Sequence, residues 1–168
     1  MKGIKKLNKA VKKALAPLGV KNVVFYDEWE YRFCDDTLAY TLLEYTTDIW
    51  FNEFVKQTFN YKVKPEYNFI LSVLHEVGHR ETVDLIEDKT YDYCVAEKER
   101  ISAEMGTENE LKSKKLDFEY FALPDELEAT TWAVEYLKRH KKQVKKMQKK
   151  INKAIQKFYL KNLDSVTE

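Results

Sequence analysis

The stretch HEVGH, residues 75 to 79, holds two of the chain's three histidines four positions apart. Residues with this spacing project from the same side of a helix, so the imidazoles of His75 and His79 can reach one metal ion. Glu76 points to a different side of the helix, from which its carboxylate can reach a water on the ion's open position. The spacing therefore predicts a zinc site in which Glu76 is the general base for amide hydrolysis.

The residues around this motif predict that it lies on a buried helix from about 66 to 83. An apolar stripe at helical spacing consists of Phe69, Ile70, Val73, Leu74 and Val77. Short motifs of this kind also arise by accident, and an ordinary amphipathic helix is the alternative explanation. In buried surroundings, however, two histidines and a glutamate without partners would cost several kcal/mol. The context therefore favours a metal site.

A catalytic zinc ion takes a third protein ligand, which must come from elsewhere in the chain. The remaining histidine, His140, lies in KRHKK, where neighbouring positive charges disfavour a cation. In PDELEATTWAVEYL, Glu126 shares a helix face with small and apolar residues suited to close packing, whereas Glu128 shares a polar face. We therefore predict Glu126 as the third ligand, with Glu128 as the second choice. Thr130, one turn beyond Glu126, is placed to hydrogen-bond to a ligand from its far side.

The pairing of HEVGH with ELEATTWA resembles the gluzincin metallopeptidases, a group of zincins, over residues 65 to 137. It is similar in particular to the compact ImmA/IrrE-type and phage-encoded members, whose second motif reads Glu-x-x-Ala-(Asn/Asp)-x-Phe-Ala. This sequence departs from that motif at Thr130 and Trp132. No DNA-binding domain is evident, so the regulatory role known in parts of that group does not carry over.

The resemblance implies a complete peptidase site with one zinc ion. The implied metal ligands are His75, His79 and Glu126, and the implied catalytic base is Glu76. The segment DIWFN just upstream is similar to the edge strand along which such enzymes lay an extended substrate, whose backbone pairs with the exposed ladder. The implied substrate-binding residues are Asp48, Ile49, Trp50 and Phe51. The expected partner is therefore a peptide or protein substrate.

Composition and periodicity predict an α+β fold. Residues 22 to 51 are rich in β-branched and aromatic residues, which favours three or four strands of a short mixed or antiparallel sheet packed on the HEVGH helix. The C-terminal half is predicted to be rich in helix, although LDFEYFA fits either a strand or a helix. Only four glycines and three prolines occur in 168 residues, and no linker or repeat is present. We therefore expect a single zincin-like domain spanning 1–168.

Charge is strongly segregated along the chain despite a formal net charge of +1. Residues 1–18 form a predicted basic amphipathic helix with six lysines and no acid, and residues 138–168 hold eleven Lys and Arg against two acids. The helical pattern runs from Pro124 into this tail, as one long helix or as two with a bend near 138. The tail is suited to an acidic partner, nucleic acid or anionic lipid. The alternative is a solvated helix folded back on the acidic body or on the N-terminal helix.

Three smaller features bear on setting and chemistry. No apolar run is long enough for a membrane span or a secretion signal, so we expect a cytoplasmic protein. Cys34 and Cys94 form no CxxC pair, which predicts two free thiols. A tyrosine could stabilise the oxyanion, and Tyr91, Tyr93 and Tyr120 remain open candidates.

Two classes of function follow from these patterns. The first is a zinc-dependent peptidase that hydrolyses a peptide or protein amide bond with Glu76 as general base. The second is a catalytically silent zincin-fold module, with an interaction or regulatory role, that binds an acidic partner or nucleic acid through its basic helices. A metal site that is open to substrate distinguishes the first from the second.

Overall fold

Helices dominate this computed structural model, which describes residues 3–25, 32–34, 37–40, 49–105 and 110–163. The α-helices in these residues are α1 (Ile4–Leu15), α2 (Ile49–Phe59), α3 (Asn68–Thr82), α4 (Asp88–Met105), α5 (Glu110–Phe121), α6 (Pro124–Arg139) and α7 (Lys141–Leu163). Short 3-10 turns lie at Ala16–Leu18, Pro65–Tyr67 and Val83–Leu85. The described strands are β1 (Asn22–Phe25), β2 (Arg32–Cys34) and β3 (Thr37–Tyr40).

The predicted α+β class is wrong, because most of the described chain is helical and its strands are only three or four residues long. In these strands β3 is central, parallel to β1 and antiparallel to β2. The β-branched and aromatic composition of residues 22 to 51 suggested a larger sheet, but β propensity is strongly dependent on context. The last part of that region instead begins α2.

The chain divides into two compact units, Thr47–Arg139 and a second unit that joins Met1–Thr46 to His140–Glu168. The HEVGH helix α3 belongs to the first and the strands belong to the second. The prediction of a sheet as the main partner of the HEVGH helix is also wrong, since within its unit α3 packs chiefly on another helix, α6. The prediction of a single domain stays a prediction.

In the unit with both chain ends, α1 packs against α7. Both helices are amphipathic, and each buries its apolar stripe. The stripe of α1 consists of Leu7, Val11, Ala14 and Leu15, and that of α7 of Val144, Met147, Ile151, Ile155 and Phe158. The basic tail is therefore a helix separate from α6, and its apolar side faces the N-terminal helix. This arrangement corresponds to one of the alternatives that the sequence left open.

In the central unit, α3 and α6 form the main helix pair, and α2, α4 and α5 surround it. α6 begins at Pro124, whose fixed φ suits the first turn of a helix, and Asp125 and Glu126 follow it at the positive end of the helix dipole. α4 and α5 share a small core around Cys94 and Ile101. The ring of Phe54 on α2 contacts α5.

Within the described residues, no helix is both long enough and apolar enough to cross a membrane. Cys94 is buried and free. The side chain of Cys34 is not among those that the structure describes.

Candidate metal centre

Helices α3 and α6 bring the side chains of His75, His79 and Glu126 together. Glu126 Oε2 lies 2.9 Å from His75 Nε2 and 3.4 Å from His79 Nε2. The three potential ligand atoms all lie within 4.8 Å of one another. This group, in which His75 and Glu126 are buried, could hold a metal ion.

A glycine inside the motif permits this close approach of the two helices. A Cβ atom added to Gly78 would lie 2.4 Å from the backbone oxygen of Ala129, far inside van der Waals contact. Ala129 itself is fully buried, as is Ala133 one turn later. The small residues on both helices therefore let the backbone of α6 approach α3, so that the short Glu126 side chain reaches the histidines.

Thr130 sets the orientation of His75. Its hydroxyl donates a hydrogen bond to the backbone oxygen of Glu126 at 2.7 Å, and His75 Nδ1 lies 3.0 Å from the same hydroxyl oxygen. Because the hydroxyl hydrogen is already engaged, Thr130 Oγ1 accepts the hydrogen of Nδ1–H. The lone pair of a neutral His75 then lies on Nε2 and points at Glu126 Oε2.

This tautomer provides a test of whether a metal ion fits. His75 Nε2 and Glu126 Oε2 lie 2.9 Å apart. Their lone pairs repel each other unless a cation lies between the two atoms, either a proton or a metal ion. Four tetrahedral ligands at about 2.1 Å from zinc lie about 3.4 Å apart. The distance from Glu126 Oε2 to His79 Nε2 equals that separation and the distance to His75 Nε2 is shorter, so the donor set could hold a metal ion.

The charges at the site shift the pKa values of its members. Burial opposes ionisation of Glu126, but the hydrogen bonds and charges of His75 and His79 hold the pKa of its carboxyl well below its usual range. Burial also lowers the pKa of His79, but the hydrogen bond and charge of Glu126 together with the charge of Glu76 raise it by more, so the net direction is upward. The site therefore keeps Glu126 anionic, and its negative charge stabilises a cation beside it, either a proton on a histidine or a metal ion.

Lys98 on α4 is a member of the site that sequence reasoning missed. Its Nζ contacts Oε1 of Glu126 and lies 2.5 Å from Oδ2 of Asp125, and its side chain is 25% exposed. Burial lowers the pKa of Lys98, but the two carboxylates raise it by more, so the amine is charged. Lys98 therefore binds one oxygen of Glu126 and leaves the other facing the histidines. No short motif marks Lys98, because it reaches the site only through the packing of α4 on α6.

Two aromatic residues complete the surroundings. Phe51 on α2 packs edge to face against His75, with ring centroids 5.1 Å apart. Tyr120 on α5 lies beside Lys98, whose Nζ is 5.4 Å from the ring centroid. Burial and the negative charge of Glu126 raise the pKa of the Tyr120 hydroxyl. Of the three tyrosines considered as oxyanion donors, Tyr120 is thus the one at the site, whereas Tyr91 and Tyr93 are about half exposed.

Glu76 lies next to the ligand cluster, half-buried on α3. Burial raises the pKa of its carboxyl, and the positive charges of His75 and His79 partly oppose that rise. A raised pKa is typical of a carboxylate that exchanges protons near neutral pH. Its role as a base stays a prediction.

Of the other predicted residues, the structure brings Phe51 to the cluster but neither Glu128 nor His140. Glu128 is exposed, as is His140 between α6 and α7. The predicted edge strand is wrong, because Ile49, Trp50 and Phe51 begin α2, where backbone groups bond within the helix and cannot pair with a substrate strand. Asp48 lies outside the described residues. Substrate binding by these residues therefore cannot take the form of strand pairing from Ile49 to Phe51.

Comparisons of this chain with protein-family models, with curated proteins and with solved structures gave no match. Its function must therefore be inferred from the geometry and the chemistry of the site.

Proposed function

We propose that this protein is a zinc-dependent peptidase that hydrolyses a peptide or protein amide bond. The proposal is carried by the position of Glu126 Oε2, which lies 2.9 and 3.4 Å from the Nε2 atoms of His75 and His79. Two histidines and a carboxylate are a ligand set of catalytic zinc, which keeps a fourth position for water or substrate. Thr130 supports this assignment because it directs the Nε2 lone pair of His75 into the cluster.

The residues of the chain have distinct roles in the proposed reaction. Zinc bound by His75, His79 and Glu126 would polarise the scissile carbonyl and lower the pKa of the attacking water. Glu76 takes a proton from that water and later gives it to the leaving amine.

The unequal exposure of the three ligands gives the direction of substrate approach. The side chain of His79 is 31% exposed, whereas those of His75 and Glu126 are 8% and 3% exposed. Phe51 covers His75, and Lys98 covers the far oxygen of Glu126. Substrate therefore reaches the site from the side of His79.

Metal analysis and one conservative variant test the proposal. The purified protein is expected to bind one zinc ion per chain, and a mixture of short peptides incubated with it is expected to show new termini by mass spectrometry. Glu76→Gln should keep the zinc and lose cleavage by at least about 100-fold, as expected for removal of a general base. Glu81→Gln, an exposed position on the same helix, is the matched control and should keep both.

A second pair of variants tests the ligand set. Glu126→Gln should lose zinc, whereas Glu128→Gln, two residues away on the exposed face of α6, should retain it. A chain that binds no zinc would contradict the metal assignment. Stoichiometric zinc without cleavage of any peptide would contradict the peptidase and favour the catalytically silent module.

A further inference from the structure

The outer face of α7 carries an unusually regular array of positive charge. Lysine pairs recur at every fourth position, at 141/142, 145/146 and 149/150, and two single lysines follow at 153 and 157. All eight are exposed, and none makes an ion pair with a described residue. The described part of α7 contains no acidic residue. Because the spacing equals about one helical turn, these lysines form two adjacent rows along one side of the helix.

This lysine face lies opposite to the apolar stripe of α7. The stripe that includes Val144, Ile151 and Phe158 is buried, and α7 packs against α1. Among its described side chains, α7 thus has no free apolar face to offer a partner. Leu160 is exposed at the far end of the lysine face, but a single apolar side chain is common on protein surfaces.

We propose that the lysine face of α7 binds the phosphate backbone of duplex nucleic acid without regard to sequence. The lysines from 141 to 157 span about 24 Å at 1.5 Å per residue. A duplex presents about fourteen phosphate charges over that length, at one per 1.7 Å of its axis. Lysine is a flexible point charge that contacts phosphate without the bidentate geometry that arginine uses to recognise guanine. The described part of α7 has no arginine, so the face is suited to phosphate contact alone.

Two other partners fit this surface less well. An amphipathic helix binds a membrane by inserting its apolar face, and here that face is buried in the protein. A protein partner needs a central apolar or aromatic anchor, whereas lysine is depleted at protein interfaces. The lysine face therefore suits a uniform polyanion best. This inference does not depend on the metal centre.

Salt-dependent binding to short duplexes tests the proposal. The full-length protein is expected to bind two 20-base-pair DNA duplexes of unrelated sequence with equal affinity in a fluorescence anisotropy titration. With about six phosphate contacts, the affinity should fall roughly 1,000-fold between 50 and 200 mM salt. Vesicles containing phosphatidylserine, titrated in parallel, should bind more weakly.

A charge-matched pair of variants locates the contact. Replacing Lys145, Lys146, Lys149 and Lys150 by Gln should reduce the slope of log affinity against log salt by about three to four, about one per lost phosphate contact. The control replaces Lys62, Lys64, Lys89 and Lys115, four exposed lysines of the central unit, by Gln and should leave the slope nearly unchanged. Circular dichroism of both variants should show the helix content of the native protein.

Three results would overturn the proposal. The first is no duplex binding at 50 mM salt, and the second is an equal loss of binding in the two quadruple variants, which would indicate only an effect of net charge. The third is tighter binding to anionic vesicles than to duplex DNA, which would assign the lysine face to a membrane surface instead.

Discussion

The helix pairs α3–α6 and α1–α7 both bury apolar side chains, but the first also buries a cluster of charged and polar groups. The first pair is in contact through small residues, Gly78 against Ala129, and encloses charged and polar groups. The second buries large apolar side chains, such as Leu15 and Ile151, and keeps its charges outside. A contact between small residues is rigid and can hold reactive groups in place. A contact between large apolar side chains supplies stability and leaves the outer faces of the helices free for charge.

The largest effect that we expect comes from adding one methyl group at the α3–α6 contact. Gly78→Ala places a Cβ 2.4 Å from the backbone oxygen of Ala129, and only a shift of one helix can relieve the clash. We expect the free energy of unfolding to fall by about 3 kcal/mol, although alanine is favoured over glycine inside a helix by about 1 kcal/mol. Urea denaturation measures the change, and zinc binding should be lost as well.

The counterpart at the α1–α7 contact is Val144→Ile, which also adds one carbon to a buried position. Large side chains can adjust their rotamers, so we expect a loss below about 1.5 kcal/mol. An equal loss in the two variants would contradict the contrast between a rigid and an adaptable contact.

The next effect concerns one lysine beside each pair, Lys98 of α4, which contacts α6, and Lys149 of α7. Lys98→Met leaves the buried carboxylates of Asp125 and Glu126 without their cation, so we expect the free energy of unfolding to fall by about 2 to 3 kcal/mol in the presence of a chelator. Lys149→Met on the exposed face of α7 should change it by less than about 0.5 kcal/mol. Addition of Asp125→Asn to Lys98→Met should recover part of the loss. A Lys98→Met chain as stable as the native protein would show that Lys98 does not neutralise the site.

A smaller effect on stability, with a larger one on metal affinity, is expected for Thr130→Val. The valine cannot accept the hydrogen bond of His75 Nδ1–H, so zinc affinity measured by competition with a chelator should fall about 10- to 100-fold. Thr131→Val is the matched control, because Thr131 makes the same bond to the preceding turn, at 2.7 Å, without touching a ligand. Thr130→Ser should restore affinity. Equal zinc affinities for the valine variants at 130 and 131 would show that Thr130 does not orient a metal ligand.

The smallest effect is expected within the apolar contact of α7. Gln148 is buried, and its Oε1 has no hydrogen-bond partner among the described residues, although its Nε2 donates to Asn152. Gln148→Met should raise the free energy of unfolding by up to about 1 kcal/mol, because an unsatisfied buried oxygen is removed. A loss of stability on thermal denaturation would indicate that the amide is needed for the pairing of α7.

Much of the site could be predicted because its spacing is local. The histidines lie one turn apart on a helix, and the helical face of Glu126 distinguishes it from the exposed Glu128. Thr130 was predicted because it lies one turn beyond Glu126 on the same helical face. By contrast, Ile49, Trp50 and Phe51 are apolar and aromatic in a way that fits a strand or a helix, and the strand prediction for them was wrong.

The sequence alone determined the segments that form α1 and α3, the helical character of the chain from Pro124 into the tail, and the apolar side of each helix, because a periodicity of 3.6 residues is visible in neighbouring positions. It left open the break between α6 and α7. Only the tertiary structure decided that α4 brings Lys98 to Glu126, that Phe51 covers His75 and that α7 packs on α1. These contacts join residues far apart in the chain, and they depend on which buried faces fit each other in shape and charge. Whether two buried faces fit is a property of both surfaces together, so it cannot be read from the sequence pattern of either one.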